Sequence, residues 1–172
     1  GMSGSEVQNV MGSKFVTDID SDEFKKIFGS WRNEAQTISI EDIQVTPEIR
    51  EKLSTAYVIK QMFGEVAGIE LGFLDNRLYK VEVGFRCDGC DAERFRQLNE
   101  KAVLAFRGAY NVVRSESDII AGAYYLTSDT SEIVATMWVN PSDKGLNYNV
   151  RDRSQFNSIR EKNRAIDKNA FK

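Results

Sequence analysis

Two alternating runs between residues 68 and 85 constrain the fold of this chain more than any other feature. Every other residue from Ile69 to Phe73 is apolar, and the same holds from Tyr79 to Phe85. The short connection between the runs contains Asp75-Asn76, a pair that favours tight turns. Alternation with period two is typical of strands that have one buried and one solvated face. The segment therefore predicts an antiparallel hairpin.

The strongest helical pattern follows this hairpin. Its apolar stripe recurs at helical spacing and consists of Phe95, Leu98, Ala102 and Phe106. Asp91 precedes the stripe as a candidate N-cap, and Gly108 follows it as a stop signal. Two earlier helix starts are indicated by Ser21, with Gly29 as its stop, and by Thr46-Pro47.

The second half of the chain predicts a three-stranded meander and then a polar helix. The strand patterns cover residues 119–126, 133–139 and 146–150, and Ser154 is placed to cap the last helix. Strands thus cluster along the chain, whereas in parallel folds they alternate with helices. We expect an α+β fold with a mainly antiparallel sheet, built from the hairpin and the meander, and with helices packed on one face. Two related α/β halves are the alternative organisation.

The length of the chain, 172 residues, fits one domain with a sizeable core. Residues 1–14 are rich in Ser and Gly and predict a flexible N-terminal arm. Residues 15–172 then form a single α+β domain, with 15–85 and 86–172 as candidate sub-halves.

Charge bears on partners and on compartment. The net charge is −3, which argues against nucleic-acid binding because that needs a basic surface. Residues 151–172 nevertheless carry seven Lys/Arg and three Asp/Glu, so this segment can meet an anionic partner.

No apolar run reaches the length of about 20 residues that spans a bilayer. Met2, taken as the native start without an export signal after it, predicts a cytoplasmic protein.

Cys87 and Cys90, the two cysteines of the chain, form a Cys-x-x-Cys motif between a predicted strand and a predicted helix. Such a position lowers the pKa of the first thiol and is typical of thiol–disulfide redox proteins. Asp88 and Asp91 flank the pair and oppose thiolate formation. We therefore treat a redox protein or sensor, with Cys87 and Cys90 as its redox pair, as the alternative function.

Other chemistry has less support. The chain contains no histidine, which excludes the triads that depend on it. Two thiols without histidine fall short of the usual four zinc ligands, and the nucleotide-binding glycine motifs are absent. We expect no cofactor and no metal.

The first hypothesis is thus a small non-catalytic binding domain for a protein or a small ligand, with a homodimer as a further option. Aromatic and basic side chains are the candidates for contact. The candidate binding residues are Trp31, Tyr124, Trp138, Tyr148, Arg153, Arg160 and Arg164. Because Tyr124 and Tyr125 are adjacent in a strand, they point to opposite faces of the sheet.

Overall fold

The fold is α+β and mainly antiparallel, which confirms the predicted class. The computed structural model describes residues 1–35, 47–87, 89–118, 123–130, 132–141, 144–155, 157 and 161. The helices are α1 (Gly4–Met11), α2 (Asp22–Ala35), α3 (Pro47–Lys52) and α4 (Ala92–Ala109). The strands are β1 (Leu53–Met62), β2 (Glu65–Leu74), β3 (Arg77–Arg86), β4 (Arg114–Asp118), β5 (Ala123–Asp129), β6 (Ile133–Asn140) and β7 (Gly145–Asp152).

One sheet contains all of these strands, in the order β1-β2-β3-β7-β6-β5-β4. β3 is the third strand from the β1 edge and lies beside the central β7, and α4 carries the chain from β3 to the far edge at β4. The meander then returns strand by strand until β7 pairs with β3, from Lys80 opposite Arg151 to Arg86 opposite Gly145. The two candidate sub-halves therefore share a single sheet.

The hairpin turns follow from local sequence. Asp75 and Asn76 both have positive φ, at 50° and 58°, which matches the twist that a two-residue hairpin turn requires. At the bulge beside Gly72 the ring of Tyr79 crosses the strand, 2.9 Å from where a Cβ of Gly72 would lie. A Cβ at this position would force the ring to shift.

Helix α4 packs on one face of the sheet, here named the helix face. All four residues of the predicted stripe are buried there. They join strand residues such as Phe85, Met137 and Leu146 in the main core. Asp91 caps the helix as predicted, since its carboxylate accepts a hydrogen bond of 2.7 Å from the amide of Arg94.

Helix α1 occupies the segment for which the sequence predicts a loose arm. A capping box between Ser3 and Glu6 opens this helix, and Val7 is 3% exposed in a second core cluster on the helix face. The ammonium of Lys60 donates to the carbonyl of Met11 at the end of the helix (2.6 Å). An isolated helix of this length is marginal, so its docking on the sheet stabilises it.

Helix α2 lies on the opposite face, here named the outer face. The chain reaches it by passing the β1 edge, where the amide of Val16 donates to the carbonyl of Tyr57 (2.7 Å). Phe24 and Phe28 then pack against the Tyr57 ring at centroid distances of 5.0 and 5.1 Å. The predicted packing on one face thus describes α1 and α4, while α2 covers the β1 end of the outer face.

Other boundaries differ from the sequence expectations. The predicted stop at Gly29 does not end α2, which continues to Ala35. β4 has the sequence Arg-Ser-Glu-Ser-Asp, which shows no alternation of apolar and polar residues. It forms by backbone pairing along the edge of β5. Most of the predicted final helix lies outside the described residues.

Candidate functional site

Cys87 and Cys90 lie where β3 gives way to α4, as the sequence predicts, and they form a disulfide. The amide of Cys90 donates to the carbonyl of Cys87 (3.2 Å), which closes a tight turn. Gly89 adopts a φ of 81° within this turn, a conformation that glycine adopts at no steric cost. The turn brings both sulfur atoms to the same side of the chain.

Burial limits what this pair can do. Cys87 is 1% exposed and Cys90 is 3% exposed, and both belong to the main core. Lys144 fixes the loop from the other side, because its amine donates to the Cys90 carbonyl and its carbonyl accepts from the Cys87 amide. Exchange with a partner's thiol needs an accessible sulfur, so this geometry favours a structural role for the pair over a redox role.

Glu65, at the start of β2, is brought to the same place by the pairing of β2 with β3. One carboxylate oxygen of Glu65 and the two sulfur atoms all lie within 4.8 Å of one another. Arg94, in the first turn of α4, forms an ion pair with the same carboxylate. The acids that flank the cysteines in the sequence do not complete this cluster: Asp91 is engaged as the helix cap, and Asp88 lies outside the described residues.

The outer face carries the second candidate surface, an aromatic pair on β5 and β6. Tyr125 lies directly opposite Trp138, and their rings stack with centroids 6.3 Å apart. Tyr125 is 44% exposed. The indole N–H of Trp138 is buried and has no acceptor in the described part of the chain. Asn147 lies opposite Trp138 on the neighbouring strand β7.

A charged cluster continues the outer face toward β2. Glu70 and Glu82 lie directly opposite each other, and the ammonium of Lys80 pairs with them at 3.2 and 2.7 Å. Burial acts to lower the pKa of Lys80, but the two carboxylates outweigh it and the pKa is raised. Burial also raises the pKa of the neighbouring Tyr79. The cluster therefore holds a fixed positive charge between two acids.

The predicted binding residues do not come together at one place. Trp138 lies on the outer face, whereas Tyr148 lies on the helix face, where its hydroxyl donates to the carbonyl of Ala102 in α4 (2.7 Å). Arg153 pairs with Asp129 at 2.8 Å. This residue is thus held at the end of the sheet.

The other predicted residues are known less fully. Trp31 lies in α2 and Tyr124 in β5 opposite Val139, but their side chains lie outside what the structure describes. Arg160 and Arg164 lie outside the described residues altogether.

Sequence reasoning missed Asn147 and Glu65 as site residues, and of the adjacent pair Tyr124 and Tyr125 it selected Tyr124 for contact. Strand alternation already indicates that Tyr124 and Tyr125 point to opposite faces of the sheet. The register of β5 against β6 then places Tyr125 on the outer face, opposite Trp138. Glu65 had no local signal. It stands 22 positions before Cys87 and meets it only through the hairpin pairing.

Comparisons with protein-family models, with curated proteins and with solved structures give no match for this chain. Among the helices in the described part of the chain, none is long and apolar enough to cross a membrane.

Proposed function

We propose that this protein is a small non-catalytic binding domain that takes an extended polypeptide segment on its outer face. The observation that carries the proposal is the indole N–H of Trp138, which is buried without an acceptor among the residues that the structure describes. A buried donor left unpaired costs about 1–3 kcal/mol, so a rotation of the indole on binding that presents the N–H to an acceptor of the partner recovers that cost.

The surroundings of Trp138 fit a peptide partner. Tyr125 offers an exposed ring beside it, and Tyr and Trp are the residues that most often anchor protein interfaces. Asn147 carries both a donor and an acceptor, which is what the N–H and C=O groups of a peptide backbone require. Net charge and the acidic pair Glu70–Glu82 disfavour a nucleic acid here.

Selection from a random 12-residue peptide library on the immobilised protein tests this proposal. We expect enriched peptides whose affinity falls at least tenfold with Tyr125→Ala and about tenfold with Trp138→Phe, which keeps a ring but removes the N–H. Leu104→Ala is the control, because Leu104 is 71% exposed on α4, over the helix face.

Two outcomes of the peptide selection would contradict the proposal. One is a selection that enriches no peptide, or only peptides that bind Tyr125→Ala as well as the wild type. The other is a set of acidic peptides that lose binding only when Arg153, Arg160 and Arg164 are replaced, since that result assigns the contact to the basic C-terminal segment.

A thiol–disulfide redox protein is the second candidate, favoured by the Cys87–Cys90 pair at the start of α4. The reduction potential of the Cys87–Cys90 disulfide, measured in a glutathione series, distinguishes the redox function from the proposed binding function. A reversible disulfide with a potential of roughly −270 to −200 mV supports the redox function. A potential below about −300 mV makes the bond structural and argues against the proposed cytoplasmic location.

A further inference from the structure

We infer that the reduced form of this protein binds one Zn²⁺ ion through the sulfur atoms of Cys87 and Cys90 and the carboxylate of Glu65. The inference is independent of peptide binding on the outer face. It starts from the convergence of these three ligand atoms within 4.8 Å, from two elements that are far apart in the sequence.

The donor set suits zinc. Two thiolates and one carboxylate are ordinary Zn²⁺ ligands, with Zn–S near 2.3 Å and Zn–O of about 2.0–2.2 Å. Two sulfur ligands of a tetrahedral ion stand about 3.8 Å apart at those bond lengths. The Cα atoms of Cys87 and Cys90 are 5.4 Å apart across a tight turn, so the sulfur atoms reach that separation by side-chain rotation alone.

The charge around the cluster also fits a bound cation. Two thiolates and Glu65 carry three negative charges, and Zn²⁺ neutralises two of them. Arg94 pairs with Glu65, and Lys144 approaches the carbonyl of Cys90, so positive groups lie beside the remaining charge. The N-terminus of α4 adds its partial positive charge at the cysteines. Three protein ligands leave the fourth position of the tetrahedron for a water molecule.

The chemistry balances in two steps. Reduction of the disulfide takes two electrons and two protons, supplied by two molecules of a low-molecular-weight thiol that are themselves joined in a disulfide. Zinc then replaces the two thiol protons, which pass to the buffer, and no electron moves in that step. The disulfide and the zinc thiolate are therefore mutually exclusive states of the same pair.

Titration with Zn²⁺ alone, against a chromogenic chelator, tests the inference on protein purified under a reductant. We expect one ion per chain in the reduced protein and none in the disulfide form. Glu65→Gln is expected to weaken Zn²⁺ binding at least tenfold. Arg96→Gln is the matched control, because Arg96 lies on helix α4 but pairs with Glu93 and Glu100 rather than with Glu65; its affinity should stay within about threefold of the wild type.

A second measurement checks that weaker zinc binding by Glu65→Gln does not come from unfolding. Glu65 lies at a hairpin end, and far-UV circular dichroism of Glu65→Gln checks that the sheet persists. Equal affinity of Glu65→Gln and the wild type would overturn the three-ligand site. So would zinc binding by the disulfide form, absence of binding to the reduced protein, or one ion shared by two chains.

Discussion

Lys80 keeps its positive charge on the half-buried outer face because two acids lie beside it. Glu70 and Glu82 face each other across β2 and β3, an arrangement that is unfavourable for like charges. The ammonium of Lys80 reaches both carboxylates and relieves their repulsion. Its pKa is raised because the attraction of the two acids exceeds the cost of burial.

Lys80→Met is expected to lower the free energy of unfolding by about 2 kcal/mol at pH 7, because it removes charged hydrogen bonds and leaves two facing acids. The pH dependence has a definite sign. The pKa of Lys80 is higher in the folded protein than its unfolded value of 10.5. The stability that Lys80 contributes is therefore complete below pH 10.5 and is lost as the pH rises through the folded pKa. Urea denaturation between pH 9 and 12 should therefore show a shallower alkaline decline in the variant.

Tyr79 is the control for this experiment. Its raised pKa also makes stability fall at high pH, starting from the ordinary value of 10.0. Tyr79→Phe removes that part of the decline and leaves the part that belongs to Lys80. Identical alkaline slopes in the wild type and in Lys80→Met would contradict the assignment.

At the scale of elements, α1 shows how packing decides whether a short helix forms. Its local sequence offers a capping box and little else, and its buried contacts come from Val7 against the β1–β3 part of the helix face. Val10, one turn along the same helix, is 71% exposed. The two valines allow the same substitution to be compared on the buried and on the solvent side.

We expect Val7→Ala to lower the free energy of unfolding by about 2 kcal/mol, through loss of two buried methyl groups and the cavity they leave. Val10→Ala should change it by less than about 0.5 kcal/mol. Urea denaturation at neutral pH measures both. Equal and small effects would show that the segment behaves as the loose arm that its composition predicts.

At the scale of the whole molecule, the sheet joins what the sequence presents as two halves. β3 belongs to the first half and β7 to the second, and they pair along most of their length. Helix α4 packs on residues from both, including Phe85 and Leu146. A boundary between residues 85 and 86 would therefore cut through the main core.

The shared sheet predicts one cooperative unfolding transition. Urea unfolding followed by far-UV circular dichroism and by tryptophan fluorescence should give the same midpoint, because neither half retains a closed core without the other. Two separated midpoints would show that residues 15–85 and 86–172 unfold as independent units.

The sequence by itself determined the elements whose signals are local. The β2–β3 hairpin follows from alternation and an Asp-Asn turn, and α4 follows from its stripe and its Asp91 cap. The position of Cys87 and Cys90 at the start of α4 follows from the same local patterns. These features depend on residues within a few positions of one another, which is why reading along the chain finds them.

Only the tertiary structure decided the features that depend on distant pairing. β4 has no apolar pattern, and its strand conformation comes from backbone pairing with β5. α1 is held by a cluster of strand residues more than fifty positions away in the sequence. The approach of Glu65 to the cysteines and the stacking of Tyr125 on Trp138 are set by strand register. Register is fixed by which faces are buried together, and that is a property of the whole sheet.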